Sequence, residues 1–299
     1  MTIESLAGID HILEPSAGAL LRRRIFGHAG FLIGIVIILA ILAVALLAPA
    51  LAPYDPYDQN LAQRLINPVW FDNGSWAHPL GTDQLGRDYL SRLIYGARIS
   101  LLIGAVAATI SGLIGTSLGL AAGYFGGRVD MVVTFIITTR LAMPVVLVAL
   151  AVVALAGGSL QVVIMVLGLL LWDRFAVVTR STTMQIRALD YVAAARATGC
   201  STLRIILAEI LPNIMNALIV VVTLEMAQAI LLEAALSFLG LGVQPPLPSW
   251  GLMVAEGKEY MFFSPWVITI PGIALFTLVL AINLLGDGLR DVMAPENRS

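Results

Sequence analysis

The chain has 299 residues, of which 59% are hydrophobic and 12% charged, with a formal net charge of −2 and a mean hydropathy of +0.92. A water-soluble domain carries about 25% charged residues, so one soluble core cannot absorb this much apolar surface. Composition therefore excludes a soluble enzyme; the lone cysteine, Cys200, excludes a disulfide scaffold, and the near-neutral charge gives no footprint for nucleic acid.

At about 20 residues per crossing, the apolar runs suffice for roughly six helical spans, with membrane lipid as their solvent. Residues 1–28 form a polar N-terminal segment ending near Arg22, Arg23 and Arg24. Residues 29–53 are free of charge and read as the first transmembrane helix. That run is too long for a signal-peptide core of about 7–15 residues. Residues 54–97 are rich in Pro, Asp, Asn and Trp, with turn signals at Tyr54-Asp55-Pro56 and Asp72-Asn73-Gly74, and read as an external segment.

A five-helix core is expected over residues 98–288. Its first run, Ile99 to Gly127, ends at a Gly126-Gly127-Arg128 turn. Gly157-Gly158-Ser159 divides the next apolar stretch into spans at Leu141 to Ala156 and Leu160 to Val178. A polar loop, residues 179–209, holds Arg180, Arg187, Arg196 and Arg204. Pro212 opens a fifth span running to Leu239, and a Gly/Pro-rich external loop, Gly240 to Ser264, leads to a sixth at Pro265 to Gly286. Residues 289–299 form a short tail. With both termini inside, the inner segments carry Arg22, Arg23, Arg24, Arg128, Arg180, Arg187, Arg196, Arg204, Arg290 and Arg298. The outer ones carry Arg64, Arg87, Arg92, Arg98 and Lys258. The bias, about two to one, has the sign of the positive-inside rule.

Within the second span, Ala107, Ser111, Gly115, Gly119 and Gly123 recur at every fourth position, a stripe of small residues that permits close helix approach. In the inner loop, Asp190 is a candidate N-cap, Tyr191 to Ala197 is a run of helix formers, and Gly199 suits the C′ position. Ser201 can cap a second helix, Thr202 to Leu211, that enters the membrane at Pro212. The short helix is a rigid knob whose small alanine surface fits a groove on another protein; an ordinary amphipathic connector would share its composition.

Glu225, Gln228 and Glu233 lie inside the fifth span. A carboxylate at that depth faces a bundle interior or an aqueous cavity. Each reads either as part of a polar pathway or as a hydrogen bond to a neighbouring helix, and Glu233, beside the external loop, suits capping or positioning that loop. Asp173 and Arg174, adjacent in the fourth span, read as a neutralising pair or an interface contact. His11, His28 and His78 are scattered, so no metal ligand set is expected. The only lysine, Lys258, is not in a P-loop, so no nucleotide cofactor and no catalysis are expected of this chain.

The run Tyr191 to Asn213 resembles the cytoplasmic EAA loop of binding-protein-dependent ABC importer permeases, with Ala194, Ala195, Gly199, Leu211 and Pro212 at matching positions. Ala193 stands where that pattern has Glu, and Glu209 where it has an apolar residue. Further blocks resemble the C-type subunit of the dipeptide/oligopeptide/nickel branch: His78-Pro79-Leu80-Gly81-Thr82-Asp83, Glu233 to Pro246 and Asn283 to Asp291. The resemblance implies a type I importer permease in a bacterial inner membrane with both termini cytoplasmic. Its implied partners are a homologous second permease, two ATPase subunits that bind ATP and Mg, and an extracytoplasmic substrate-binding protein. It also implies ATPase coupling through Asp190, Tyr191, Ala193, Ala194, Ala195, Arg196, Gly199 and Pro212, and a translocation pathway that Glu225, Gln228 and Glu233 could line. The rival reading is a proton-coupled secondary transporter with Glu225, Glu233 and Asp173 as a relay.

Overall fold

A computed structural model describes residues 26–293, so His11, Arg22, Arg23, Arg24, Arg298 and the outer parts of both expected terminal segments lie outside the described residues. Helix α1 (Ala29–Leu46) starts where the His28 imidazole accepts the Phe31 N–H at 3.0 Å, and α2 (Ala48–Leu51) continues it with Pro49 in its first turn. Pro fits there because a first-turn N–H has no intrahelical partner.

The next long helix, α3 (Tyr89–Phe125), begins well before Ile99 and takes in the end of the expected external segment. The cause is local: the Asp88 carboxylate accepts the Ser91 N–H at 2.7 Å and so caps the helix. With 37 residues, α3 is about 55 Å long and outreaches a hydrocarbon layer of about 30 Å. It stops at Gly126, whose φ of 65° suits a residue without Cβ.

The third crossing is not the straight span expected at Leu141 to Ala156. Helices α4 (Gly127–Leu141) and α5 (Val145–Ala156) meet at 84° across Ala142, Met143 and Pro144. Pro144 lacks an N–H and disfavours helical geometry at Met143, which breaks the rod there. The described residues thus hold five helices long and apolar enough to cross a membrane, or six when the bent pair counts as one span.

Helices α6 (Leu160–Leu170) and α7 (Asp173–Arg187) follow with only Leu171 and Trp172 between them. The fourth span therefore runs past Val178, and Thr179 to Arg187 are helical rather than part of a polar loop. After α8 (Asp190–Ala197) and the single turn α9 (Thr202–Arg204), six π-helical residues, Ile205–Ile210, merge into α10 (Leu211–Phe238). Pro212 does not open the span but sits inside one continuous rod. The Leu211 N–H reaches back to the Ile206 carbonyl, and this wider turn makes room for the proline ring.

The loop after Phe238 contains a helix absent from the expected elements, α11 (Trp250–Gly257). Finally, α12 (Trp266–Met293) extends beyond Gly286 into the expected tail.

The small-residue stripe of α3 packs inside this chain. A Cβ at Gly119 would lie 2.6 Å from the Thr179 Cβ, and one at Gly123 2.6 Å from the Thr183 Cβ, so α7 approaches α3 backbone to backbone. The Ser111 hydroxyl donates to the Gly168 carbonyl at 2.8 Å on the same seam. On the opposite flank α1 lies against α12, where a Cβ at Gly34 would meet the Ala281 carbonyl at 2.8 Å.

Candidate functional site

Helix α8 is held from below and bare above. Val192 is fully buried in a cluster with Phe175, Ile186, Ile205, Ile210 and Ile214, and Ala195 and Cys200 pack against its edge. Asp190, Tyr191, Ala193, Ala194 and Arg196 are exposed. Leu189, not Asp190, occupies the N-cap, and Asp190 lies in the first turn without a capping hydrogen bond. A carboxylate there still favours the positive end of the helix dipole. The other terminus is a Schellman turn: the Gly199 N–H donates to the Arg196 carbonyl and the Cys200 N–H to the Ala195 carbonyl, each at 3.1 Å. Gly199 has φ of +82°, the left-handed geometry that a side chain would strain. The Ser201 hydroxyl then accepts the Arg204 N–H at 3.4 Å, as expected of a cap.

Three contacts make α8 and its neighbours one body. Arg187 donates to the Gly123 carbonyl at 3.2 Å and the Tyr124 carbonyl at 2.6 Å, fastening α7 to the end of α3. The Arg196 guanidinium lies 5.6 Å from the Tyr124 ring centre. The Asn213 amide donates to the Tyr191 hydroxyl at 3.3 Å, joining α8 to α10 beside Pro212. These contacts join α8 and α7 to the ends of α3 and α10.

The intramembrane polar residues separate into two sites. Glu225, 1% exposed, pairs with Arg174 of α7, Oε1 to Nη1 at 3.2 Å, so Arg174 is not neutralised by its neighbour Asp173. Asp173 instead accepts the Arg174 backbone N–H at 3.0 Å. Gln228, one turn further along α10, is half-buried. Arg140 donates to the Leu170 carbonyl and, at 3.4 Å, to the Met143 carbonyl, pinning the α4–α5 bend to the α6–α7 junction. Glu233 belongs elsewhere. Its Oε1 accepts the Ser237 and Ser249 hydroxyls, both at 2.8 Å, and Ser249 caps α11 through the Leu252 N–H. Glu233 thus positions the loop helix, which is one of the two readings its sequence position allowed.

A third cluster is assembled only by the fold. Asp83, Arg87 and Arg92 are almost wholly buried and join Glu256 of α11. Arg87 binds Asp83 at 2.6 Å and Glu256 at 3.4 Å; Arg92 binds Asp83 and, at 2.9 Å, Glu256. His78 adds a 2.9 Å bond to Asp88. The Trp250 indole donates to the Leu93 carbonyl at 2.8 Å, completing the lock between α11 and α3. The available signal was Asp88-Tyr89-Leu90-Ser91, an N-cap ahead of an apolar run, which places Arg92 on a helix rather than in a loop.

A lipid-facing bundle with charges guarded at mid-depth and a bare, braced helix at one end has the build of a membrane permease subunit. Residues 115–299 match the model of the binding-protein-dependent transport system inner membrane component family, and residues 16–68 that of the N-terminal TM domain of oligopeptide transport permease C. The chain belongs to this family of inner-membrane transport components.

Among curated relatives it is 41% identical to the dipeptide transport system permease protein DppC of Haemophilus influenzae, over 90% of this chain and 91% of the relative. It is 44% identical to the di/tripeptide transport system permease protein DppC of Pseudomonas aeruginosa, over 91% of this chain and 90% of that one. Against the glutathione transport system permease protein GsiD of Pectobacterium atrosepticum the identity is 38%, over 93% and 90%. Among solved structures, an inward-facing form of the MetNI methionine ABC transporter shares the fold with a TM-score of 0.55 at 20% identity, covering 67% of this chain and 96% of the other. Family membership favours a transport component of an ABC system over a proton relay. The geometry agrees, since Glu225 is tied to an arginine and Glu233 to two serines.

Proposed function

We propose that the chain is one of two homologous permease subunits of an ATP-driven importer that carries di- or oligopeptides into the cytoplasm. In this reading α8 sits in a groove of a cytoplasmic ATPase subunit. Two such subunits bind ATP and Mg and close on each turnover, and an extracytoplasmic binding protein delivers the solute to the opposite end. The single observation that carries the reading is the exposed alanine surface of α8, anchored by Val192 and braced to α3, α7 and α10. Closure of the ATPases displaces α8, and the helices fixed to it tilt to expose the pathway to one side at a time. Such alternation needs a solute affinity that differs between the two states. The segment ahead of α1 and the tail after α12 are then cytoplasmic, and residues 54–88 and the α11 loop face outward.

The peptide assignment is supported by the di- and tripeptide transport systems named for the relatives at about 40% identity. The test is uptake of a labelled dipeptide by proteoliposomes holding the complete complex, with its binding protein on one side and ATP on the other. Uptake that requires both ATP and binding protein, and that persists with an uncoupler, is the expected result. Uptake abolished by the uncoupler, or independent of ATP, overturns the proposal.

A further inference from the structure

Arg174 occupies the middle of the span Leu160–Arg187, yet its side chain is 55% exposed. A guanidinium at that depth cannot face hydrocarbon, so the surface it occupies is turned to water or to protein. Its only ion pair among the described residues is with Glu225, which is itself buried. The exposed member of the pair is therefore the cation, and it presents unused N–H donors. The pair is also incomplete from the other side. The Glu225 Oε1 is buried and, despite the 3.2 Å approach of Arg174, accepts no well-aligned hydrogen bond.

We infer that Arg174 and Glu225 form the solute-contacting site of the pathway, Arg174 taking the terminal carboxylate of a peptide and Glu225 its ammonium group. This rests on the proposed importer reading and names the chemistry recognised. Arginine presents a planar fork that matches a carboxylate with two parallel hydrogen bonds. An anion that drew Arg174 away would leave Glu225 buried without a partner, which is costly. A solute carrying both charges replaces both halves of the ion pair and leaves the site neutral. Zwitterions are therefore favoured over anions and over peptides with a blocked carboxylate. Gln228, on the same face of α10 one turn away, is placed to meet the peptide backbone.

The test uses the full complex with its binding protein in proteoliposomes. It compares a dipeptide with its C-terminal amide, each rate normalised to the occupancy of the binding protein. In the unaltered transporter the free acid is expected to move faster than the amide. Arg174→Gln is expected to slow the free acid about ten- to a hundredfold, the effect of a lost charged contact to the carboxylate, and the amide much less, so that the preference for the acid disappears. Arg174→Lys, which keeps the charge and guards against a folding defect, is expected to retain part of the preference. Assembly of the complex, read by copurification of its subunits, should persist in both variants. Equal loss for acid and amide, failure of the complex to assemble, or no loss at all overturns the inference, because Arg174 would then serve packing, a subunit interface or nothing measurable. Absence of ATP-dependent dipeptide uptake in the unaltered complex would instead sink the importer reading itself.

Discussion

The two ends of the bundle are held by opposite kinds of chemistry. At the α11 end, Asp83, Arg87, Arg92 and Glu256 form a buried charge network, with Trp250 wedged beside it. At the α8 end, an apolar plug around Val192 holds a helix that exposes Ala193 and Ala194, while Arg187 ties α7 to α3 through main-chain carbonyls. Buried charges resist separation because each would be left unpaired in a poor solvent. Apolar plugs and carbonyl contacts permit tilting without stranding a charge. In the proposed mechanism one end is a fixed frame and the other a handle.

The largest expected effect breaks the frame. Arg92→Met removes a partner of both Asp83 and Glu256, and a loss of about 3–5 kcal/mol is expected, read as a lower unfolding midpoint of the purified protein. An unchanged midpoint would mean that the network is not what locks α11 to α3.

Next comes the seam that links the two ends. Gly119→Leu forces a side chain against the Thr179 Cβ and should cost about 1–3 kcal/mol by the same measurement, whereas Gly272→Leu, where no atom lies within 4 Å of the new Cβ, should cost much less. Equal effects at the two sites would deny the tight α3–α7 contact.

Smaller in stability but large in function is Gly199→Val. It forces a β-branched residue to φ of +82° and should cost about 1–2 kcal/mol. Because the Schellman turn sets the angle between α8 and the rod that follows, dipeptide uptake should fall further than stability does. Uptake that merely tracks the loss of folded protein would argue against a coupling role.

The smallest stability change is expected for Ala193→Glu. Ala193 is solvent-exposed on α8, so stability should stay within about 0.5 kcal/mol, while ATPase stimulation by the binding protein should shift. A variant unchanged in both would show that this face meets no partner.

How much of this was legible in the sequence follows from what each feature depends on. Gly199 and Gly126 act through their own backbone and Ser201 through a hydroxyl bond three residues on, and their caps and turns stand where the one-dimensional pattern puts them. The apolar runs likewise declare most of the spans. Breaks inside apolar stretches were harder. The bend at Pro144 separates two helices that share one composition, and Pro212, an equally good breaker by type, is absorbed by a π turn. Helix α11 was hidden because the residues around it are rich in Gly and Pro, although Ser249 before Trp250 is a sound cap. The ion pairs were out of reach. Asp173 and Arg174 are neighbours in sequence, but side chains at i and i+1 on a helix diverge, and only the packing of α7 on α10 brings Arg174 to Glu225.

The handle itself can be tested by site-specific cross-linking. With Cys200→Ser removing the single native cysteine and Ala194→Cys placing a new one on the bare face of α8, the complete complex is treated with a short thiol-to-amine cross-linker in native membranes. The expected result is a covalent adduct between this chain and a copurifying P-loop ATPase, with a yield that changes on adding ATP. Labelling of the same cysteine by a membrane-impermeant thiol reagent from outside the cell, with no ATPase adduct formed, would contradict it.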